Sequence, residues 1–151
     1  VLEPLLCTGD VVALALATVQ YSLKFYRAIV DGVIAAAKHK SVRVIFWPDD
    51  LMFKKRATTC LGQESPTTCA KSWVHVKKAM STYQGVVNKY ETDPEVVIFH
   101  ELQHLCRNGT CDIYIPGTRT VAFRDTNHHT RMSERFLDPF VCHRLLEAKV
   151  I

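Results

Sequence analysis

Val42-Arg43-Val44-Ile45-Phe46-Trp47-Pro48-Asp49-Asp50 is the stretch whose reading decides the fold. Branched and aromatic apolar residues run together and are then stopped by a proline and two acids, the composition of a strand with an abrupt end. On its N-terminal side, Tyr21 to Lys40 places Leu23, Tyr26, Ile29, Val30, Val33, Ile34 and Ala37 at the spacing of one helical face, with Lys38 and Lys40 suited to the helix's negative end. Further back, Asp10 to Ala17 is a continuous apolar run, which predicts a central parallel strand buried on both faces. A strand, a covering helix and a second strand make one parallel unit.

The other direction repeats the alternation. Trp73 to Tyr90 carries Val74, Val76, Ala79, Met80, Tyr83, Val86 and Val87 at helical spacing, and Asp93-Pro94 resets the chain before a third strand, Glu95 to Phe99. Asp112 to Ile115 and Thr120 to Phe123 flank Pro116-Gly117-Thr118-Arg119 as a hairpin with a four-residue loop. Ser133 to Val150 closes the chain as a helix with Phe136, Phe140, Val141, Leu145 and Leu146 on its apolar face. The order predicts one α/β domain over 1–151, a three-layer sandwich around a mostly parallel sheet, with sites beyond the carboxyl ends of the strands.

The chain has 151 residues, 48% of them hydrophobic, enough for one domain with a core of its own. Its net charge of +4 comes from scattered pairs such as Lys54/Lys55 and Lys77/Lys78 without interleaved aromatics, which argues against a nucleic-acid partner. Val11 to Val19 is too short to span a bilayer and lacks the basic flank of a signal peptide. Six cysteines are the compositional outlier. Cys60 with Cys69, and Cys106 with Cys111, enclose small turn-forming residues and lack zinc-knuckle spacing, so they read as local disulfides formed outside the cytosol, in a periplasmic, extracellular or lumenal setting. Cys7 and Cys142 remain: they pair with each other, pair with chain beyond this one, or sit as buried thiols.

Phe123-Arg124-Asp125-Thr126-Asn127-His128-His129-Thr130 concentrates the chemistry. Asp125 and His128, three residues apart, share one side of a turn, where the acid holds the imidazole in one tautomer and leaves its other nitrogen as a base. The same spacing also fits a helix-capping aspartate beside a surface histidine.

From Leu105 to Pro139, the paired cysteines, the hairpin, the Arg-Asp-Thr-Asn-His block and a helix carrying Phe-Leu-x-Pro resemble the end of the SGNH domain attached to membrane acyltransferases of the O-antigen acetylase type. The order of elements upstream agrees with it, so the resemblance covers most of the chain. It implies a flavodoxin-like sandwich and a serine O-acyltransferase or esterase acting on acylated carbohydrate with an acyl donor, without a cofactor. The domain would work beside a membrane acyltransferase part of the same protein and be tethered to a membrane through it. Asp125 would orient His128, and His128 would take the serine's proton. Two departures stand out. His129 follows His128 where the family has leucine and then serine or threonine, which makes His129 an alternative base. No Gly-Asp-Ser block is present: Thr8-Gly9-Asp10-Val11 precedes a strand and has no hydroxyl at the fourth position, and none of the six serines has the required context. The N-terminal strand and its nucleophile are therefore expected on a segment this chain lacks, and the chain alone is expected to be inactive, or to persist as a non-catalytic binding module.

His100-Glu101-Leu102-Gln103-His104 spells the zincin motif, in which two histidines one helical turn apart hold zinc and the glutamate activates a water. A zinc metalloprotease is thus the alternative reading, with His100, Glu101 and His104 as its residues. Val96 to Phe99 favours a strand at this point, and Arg107 stands where the longer zincin motif needs glycine. His39, His75 and His143 have no partner at a telling spacing and read as surface positions. Asn108-Gly109-Thr110 fits the glycosylation acceptor pattern.

Overall fold

A computed structural model of the chain describes residues 11–16, 21–48, 51–61 and 69–150. Three strands, β1 (Val11–Ala15), β2 (Arg43–Trp47) and β4 (Val96–Ile98), form a parallel sheet in the order β1-β2-β4. A second, antiparallel sheet joins β3 (Ala70–Ser72), β6 (Thr110–Asp112) and β5 (Cys106–Arg107) in the order β3-β6-β5. The helices are α1 (Leu23–His39), α2 (Ala57–Cys60), α3 (Trp73–Met80), α4 (Gln84–Asn88), α5 (Leu102–Leu105) and α6 (Arg131–Glu147).

Alternation along β2 and β4 sends side chains into two cores on opposite faces of the parallel sheet. Val44 and Phe46 of β2, with Val96 and Ile98 of β4, pack with Tyr26, Val30, Ile34 and Ala37 of α1 and with Val86 and Val87 of α4. Ile45 and Val97 point the other way, into a core shared with Leu102 and Leu105 of α5, Leu137 and Leu145 of α6, and Phe53, Phe99 and Phe123. The helical period of Tyr21 to Lys40 is thus realised as α1. Its first turn is capped by Ser22, whose Oγ accepts from Phe25 N at 3.3 Å. Its last turn is tied down by Lys38, whose Nζ lies 2.7 Å from Asp93 and 3.2 Å from Glu95, the residues that lead into β4.

The strand β1 is not the doubly buried central strand that its apolar run predicts. It lies on an edge among the described residues, only Leu14 is buried, and Val12 is 39% exposed. The central position belongs to β2, whose residues Val44 to Phe46 are all buried. Asp10 and Ala17, the ends of the expected strand, lie outside the described residues, as do Cys7, Asp49, Asp50 and Ser65.

Trp73 to Tyr90 is two helices instead of one. Ser81 turns its hydroxyl back onto Lys78 O at 2.7 Å, a local bond that competes with the helical ladder, and the chain re-aims over Ser81 to Tyr83. The break has a packing reason. Trp73, Val76 and Met80 of α3 face one core, whereas Val86 and Val87 of α4 face the other. Val74, which the periodicity puts inside, is 72% exposed.

The paired cysteines are disulfides, Cys60–Cys69 and Cys106–Cys111, and both brace the small sheet that the periodicity did not reveal. Cys106 and Cys111 are cross-strand partners in β5 and β6, while Cys69 leads directly into β3. The expected hairpin at 112–123 survives as a narrow ladder: Ile115 N donates to Thr120 O at 2.8 Å and Ala122 N to Ile113 O at 2.7 Å. Its turn places Gly117 at φ 78°. The last helix starts two residues earlier than expected, at Arg131, because Thr130 caps it through Ser133 N at 3.2 Å. Leu146, expected on its apolar face, is 58% exposed.

Candidate functional site

The Asp125 segment is a short excursion pinched off at its base. Phe123 and His129 form an antiparallel bridge, Arg124 N donates to His128 O at 2.9 Å, and Thr130 Oγ1 donates to Val121 O at 2.8 Å. Its outer side is laced to the segment after β2, since Phe53 N donates to Thr126 O at 2.8 Å and Ala57 N to Asp125 O at 3.2 Å. Phe123 is buried edge-on to Phe53 with ring centroids 5.1 Å apart, which anchors the excursion in the core.

Within it, Asp125 organises the turn and the ring together. Its Oδ1 accepts from Asn127 N at 3.0 Å and from His128 N at 2.9 Å, while Oδ2 lies 2.8 Å from His128 Nδ1. The backbone N–H groups of Asn127 and His128, helped by the imidazole, hold the Asp125 carboxyl far below the usual carboxylate range despite some loss of hydration. The aspartate is therefore ionised at any ordinary pH and favours a proton on Nδ1. His128 is 60% exposed, and among the described residues no hydrogen bond is made by its Nε2. An imidazole held by an acid at one nitrogen and open at the other is arranged to accept a proton from an incoming hydroxyl.

The neighbouring His129 is arranged differently. Its Nε2 lies 3.0 Å from Glu101 Oε2, and its Nδ1 lies 2.9 Å from Ser133 Oγ. Glu101 is buried and also receives Trp47 Nε1 at 2.6 Å. With the proton on Nε2, His129 donates to Glu101 and accepts from the Ser133 hydroxyl, and Glu101 Oε2 takes both the Trp47 and the His129 donor. Both ring nitrogens of His129 are thus spent on structure. Ser133, fully buried on α6, is likewise a bonded core residue with no access to a substrate.

This network also occupies the centre of the zincin motif. The helix α5 begins only at Leu102, so His100 precedes it, and Glu101 turns inward to His129 and Trp47 instead of lying beside a metal-bound water. The ring of His104 stacks between Phe99 and Phe140, at 5.5 and 4.0 Å. Among the described residues no three His, Cys, Asp or Glu side chains come together as a metal-holding group. The motif requires one helix carrying both histidines on a single face, and the strand β4 runs too close to His100 to allow it.

Two clefts flank the carboxyl ends of β2 and β4. One, of about 550 Å³, lies against α6 and is lined by residues including Phe99, His100, His104, Phe140 and Arg144. The other, of about 350 Å³, is formed by Pro48, Trp73, Lys77, Met80, Tyr83 and His100 among others. Asp125 and His128 line neither of them. His39, His75 and His143 are exposed, as their spacing suggests, and His143 lies 3.6 Å from Glu147. No helix among the described residues is long and apolar enough to cross a membrane. Comparisons of the chain with protein-family models, curated proteins and solved structures find no match.

Proposed function

We propose that this chain supplies the Asp–His part of a serine O-acyltransferase or esterase that acts on acylated carbohydrate outside the cytosol. The observation that carries the reading is the 2.8 Å contact between Asp125 Oδ2 and His128 Nδ1, with Nε2 facing outward. Asp125 keeps the proton on Nδ1 and stabilises the imidazolium that forms. Nε2 of His128 takes the proton of a serine hydroxyl as it attacks the acyl carbon, then returns it to the departing oxygen. A sugar hydroxyl completes transfer, whereas water completes hydrolysis.

Three features support the architecture this chemistry needs. The parallel sheet has helices on both faces, in keeping with a flavodoxin-like three-layer sandwich. The edge of β1 carries no partner among the described residues, an open position of the kind to which a further parallel strand bearing the serine adds. The disulfides fit an oxidising compartment, as expected of a domain displayed beside a membrane acyltransferase.

One observation favours a non-catalytic binding module instead: none of the described serines approaches His128, and Ser133 is bonded to His129. A single experiment separates the two. The chain is extended through the coding region upstream of Val1 and assayed for release of nitrophenol from an acyl ester. The enzymatic reading expects turnover that His128→Ala abolishes. Absence of a Gly-Asp-Ser serine upstream, or turnover indifferent to His128→Ala, leaves the binding module.

A further inference from the structure

We propose that Asn108 is an acceptor for N-linked glycosylation, modified before the β5–β6 hairpin closes. Asn108-Gly109-Thr110 has the acceptor pattern, an asparagine and a threonine separated by a residue other than proline. The fold puts all three residues on the surface at the tip of the hairpin. Arg107 and Thr110 pair across it, and Asn108 and Gly109 take the turn with φ of 50° and 76°, the left-handed pair of a two-residue connection. The tip is open: a Cβ built on Gly109 meets nothing within 4 Å. The compartment agrees, because the two disulfides belong to an oxidising environment, and N-glycosylation is a reaction of the secretory pathway.

The timing follows from the same geometry. Thr110 lies in β6, the middle strand of the small sheet, paired with Arg107 on one side and Ser72 on the other. Gly109 O is held by Trp73 N at 2.9 Å, and the Cys106–Cys111 disulfide closes a ring around the acceptor. A transferase that must engage the asparagine amide and the threonine hydroxyl of one open stretch meets them only before this ring forms. The co-reactant is a lipid-pyrophosphate-linked oligosaccharide. Asn108 Nδ2 attacks its anomeric carbon, a C–N bond forms, and the C–O bond to pyrophosphate breaks. The lipid pyrophosphate leaves with the electron pair, and the amide nitrogen loses one proton to solvent.

The test is secretion of the chain from eukaryotic cells as wild type, Asn108→Asp, and the double variant Cys106→Ser/Cys111→Ser. Aspartate tolerates the left-handed turn, so the single variant removes the acceptor without removing the hairpin. Secreted protein is treated with peptide N-glycosidase in heavy-oxygen water and read by electrophoresis and by mass spectrometry at position 108. Wild type should lose an electrophoretic shift and gain more heavy oxygen at residue 108 than in a parallel heavy-oxygen incubation without the glycosidase, which measures spontaneous deamidation of the Asn-Gly pair. Asn108→Asp should show no shift, and the cysteine variant should be modified in a larger fraction of molecules than wild type. Wild type without an enzyme-sensitive shift, or a shift that survives in Asn108→Asp, overturns the site. Equal occupancy in wild type and the cysteine variant overturns the timing.

Discussion

Replacing Glu101 with alanine should destabilise the protein severely, although the residue touches no substrate in the proposed chemistry. The carboxylate is buried and receives two donors, Trp47 Nε1 at 2.6 Å and His129 Nε2 at 3.0 Å. Truncation strands both, and a buried donor left unsatisfied costs about 1–3 kcal/mol. The Trp47 indole is half-buried, so water recovers part of its loss and the expected total is about 3 kcal/mol. Glu101→Gln keeps an amide oxygen where Oε2 sits and loses only the charge-assisted part, about 1 kcal/mol. Because domains of this size are stable by roughly 5–15 kcal/mol, both variants remain folded enough to measure. Urea denaturation followed by far-ultraviolet circular dichroism, with indole fluorescence alongside, gives both numbers. The reasoning fails if Glu101→Ala lies within about 0.5 kcal/mol of wild type, the range of an ordinary surface substitution, or if Gln costs as much as Ala.

The two histidines should separate in the same assay: His128→Ala should stay within about 0.5 kcal/mol of wild type because its ring is exposed, whereas His129→Ala should cost about 2 kcal/mol by removing one of the two donors to buried Glu101 and the partner of the buried Ser133 hydroxyl. Asp125→Asn keeps an oxygen for the two backbone donors but removes the carboxylate. A carboxyl whose folded pKa is depressed stabilises the fold above its unfolded value, near pH 4, and the benefit is lost as pH falls through the folded value. At about a third exposure the contribution is screened, so Asp125→Asn should lose up to about 1 kcal/mol at pH 7, with the gap to wild type narrowing below about pH 4. A gap that widens in acid would reverse the assignment. Each disulfide closes a short loop, so removing either by Cys→Ser pairs should cost about 2 kcal/mol by loop entropy, measured as a lowered urea midpoint.

What the sequence discloses here is what local spacing can encode. The helix α1, the strands β2 and β4 and the start of α6 follow from periodicity, proline and capping residues within a few positions of one another. The Asp125–His128 contact is legible for the same reason, since three residues and a turn suffice to make it. Long-range pairing is not encoded in that way. Trp47 and Glu101 are 54 residues apart and Glu101 and His129 are 28 apart, so Glu101 reads as part of a metal motif when only its neighbours His100 and His104 are in view. The exposure of β1 follows from its place at the edge of the sheet among the described residues, and an apolar run carries no record of strand order. The split of α3 from α4 depends on two cores lying on opposite faces of one sheet. A histidine following a histidine leaves either ring available as the base in the sequence, and only the bonds of His129 to Glu101 and Ser133 separate the two.

The tautomer of His128 tests the central claim most directly, and this chain suffices for it. A nitrogen-15 correlation spectrum of the imidazoles, with His128→Ala to assign the ring, reports which nitrogen carries the proton at neutral pH. If Asp125 holds the ring as a base in waiting, Nδ1 is protonated and Nε2 has the shift of a bare ring nitrogen, and Asp125→Asn moves the ring toward the mixture of a free histidine. A wild-type spectrum already showing Nε2 protonated, or one unchanged by Asp125→Asn, would contradict it.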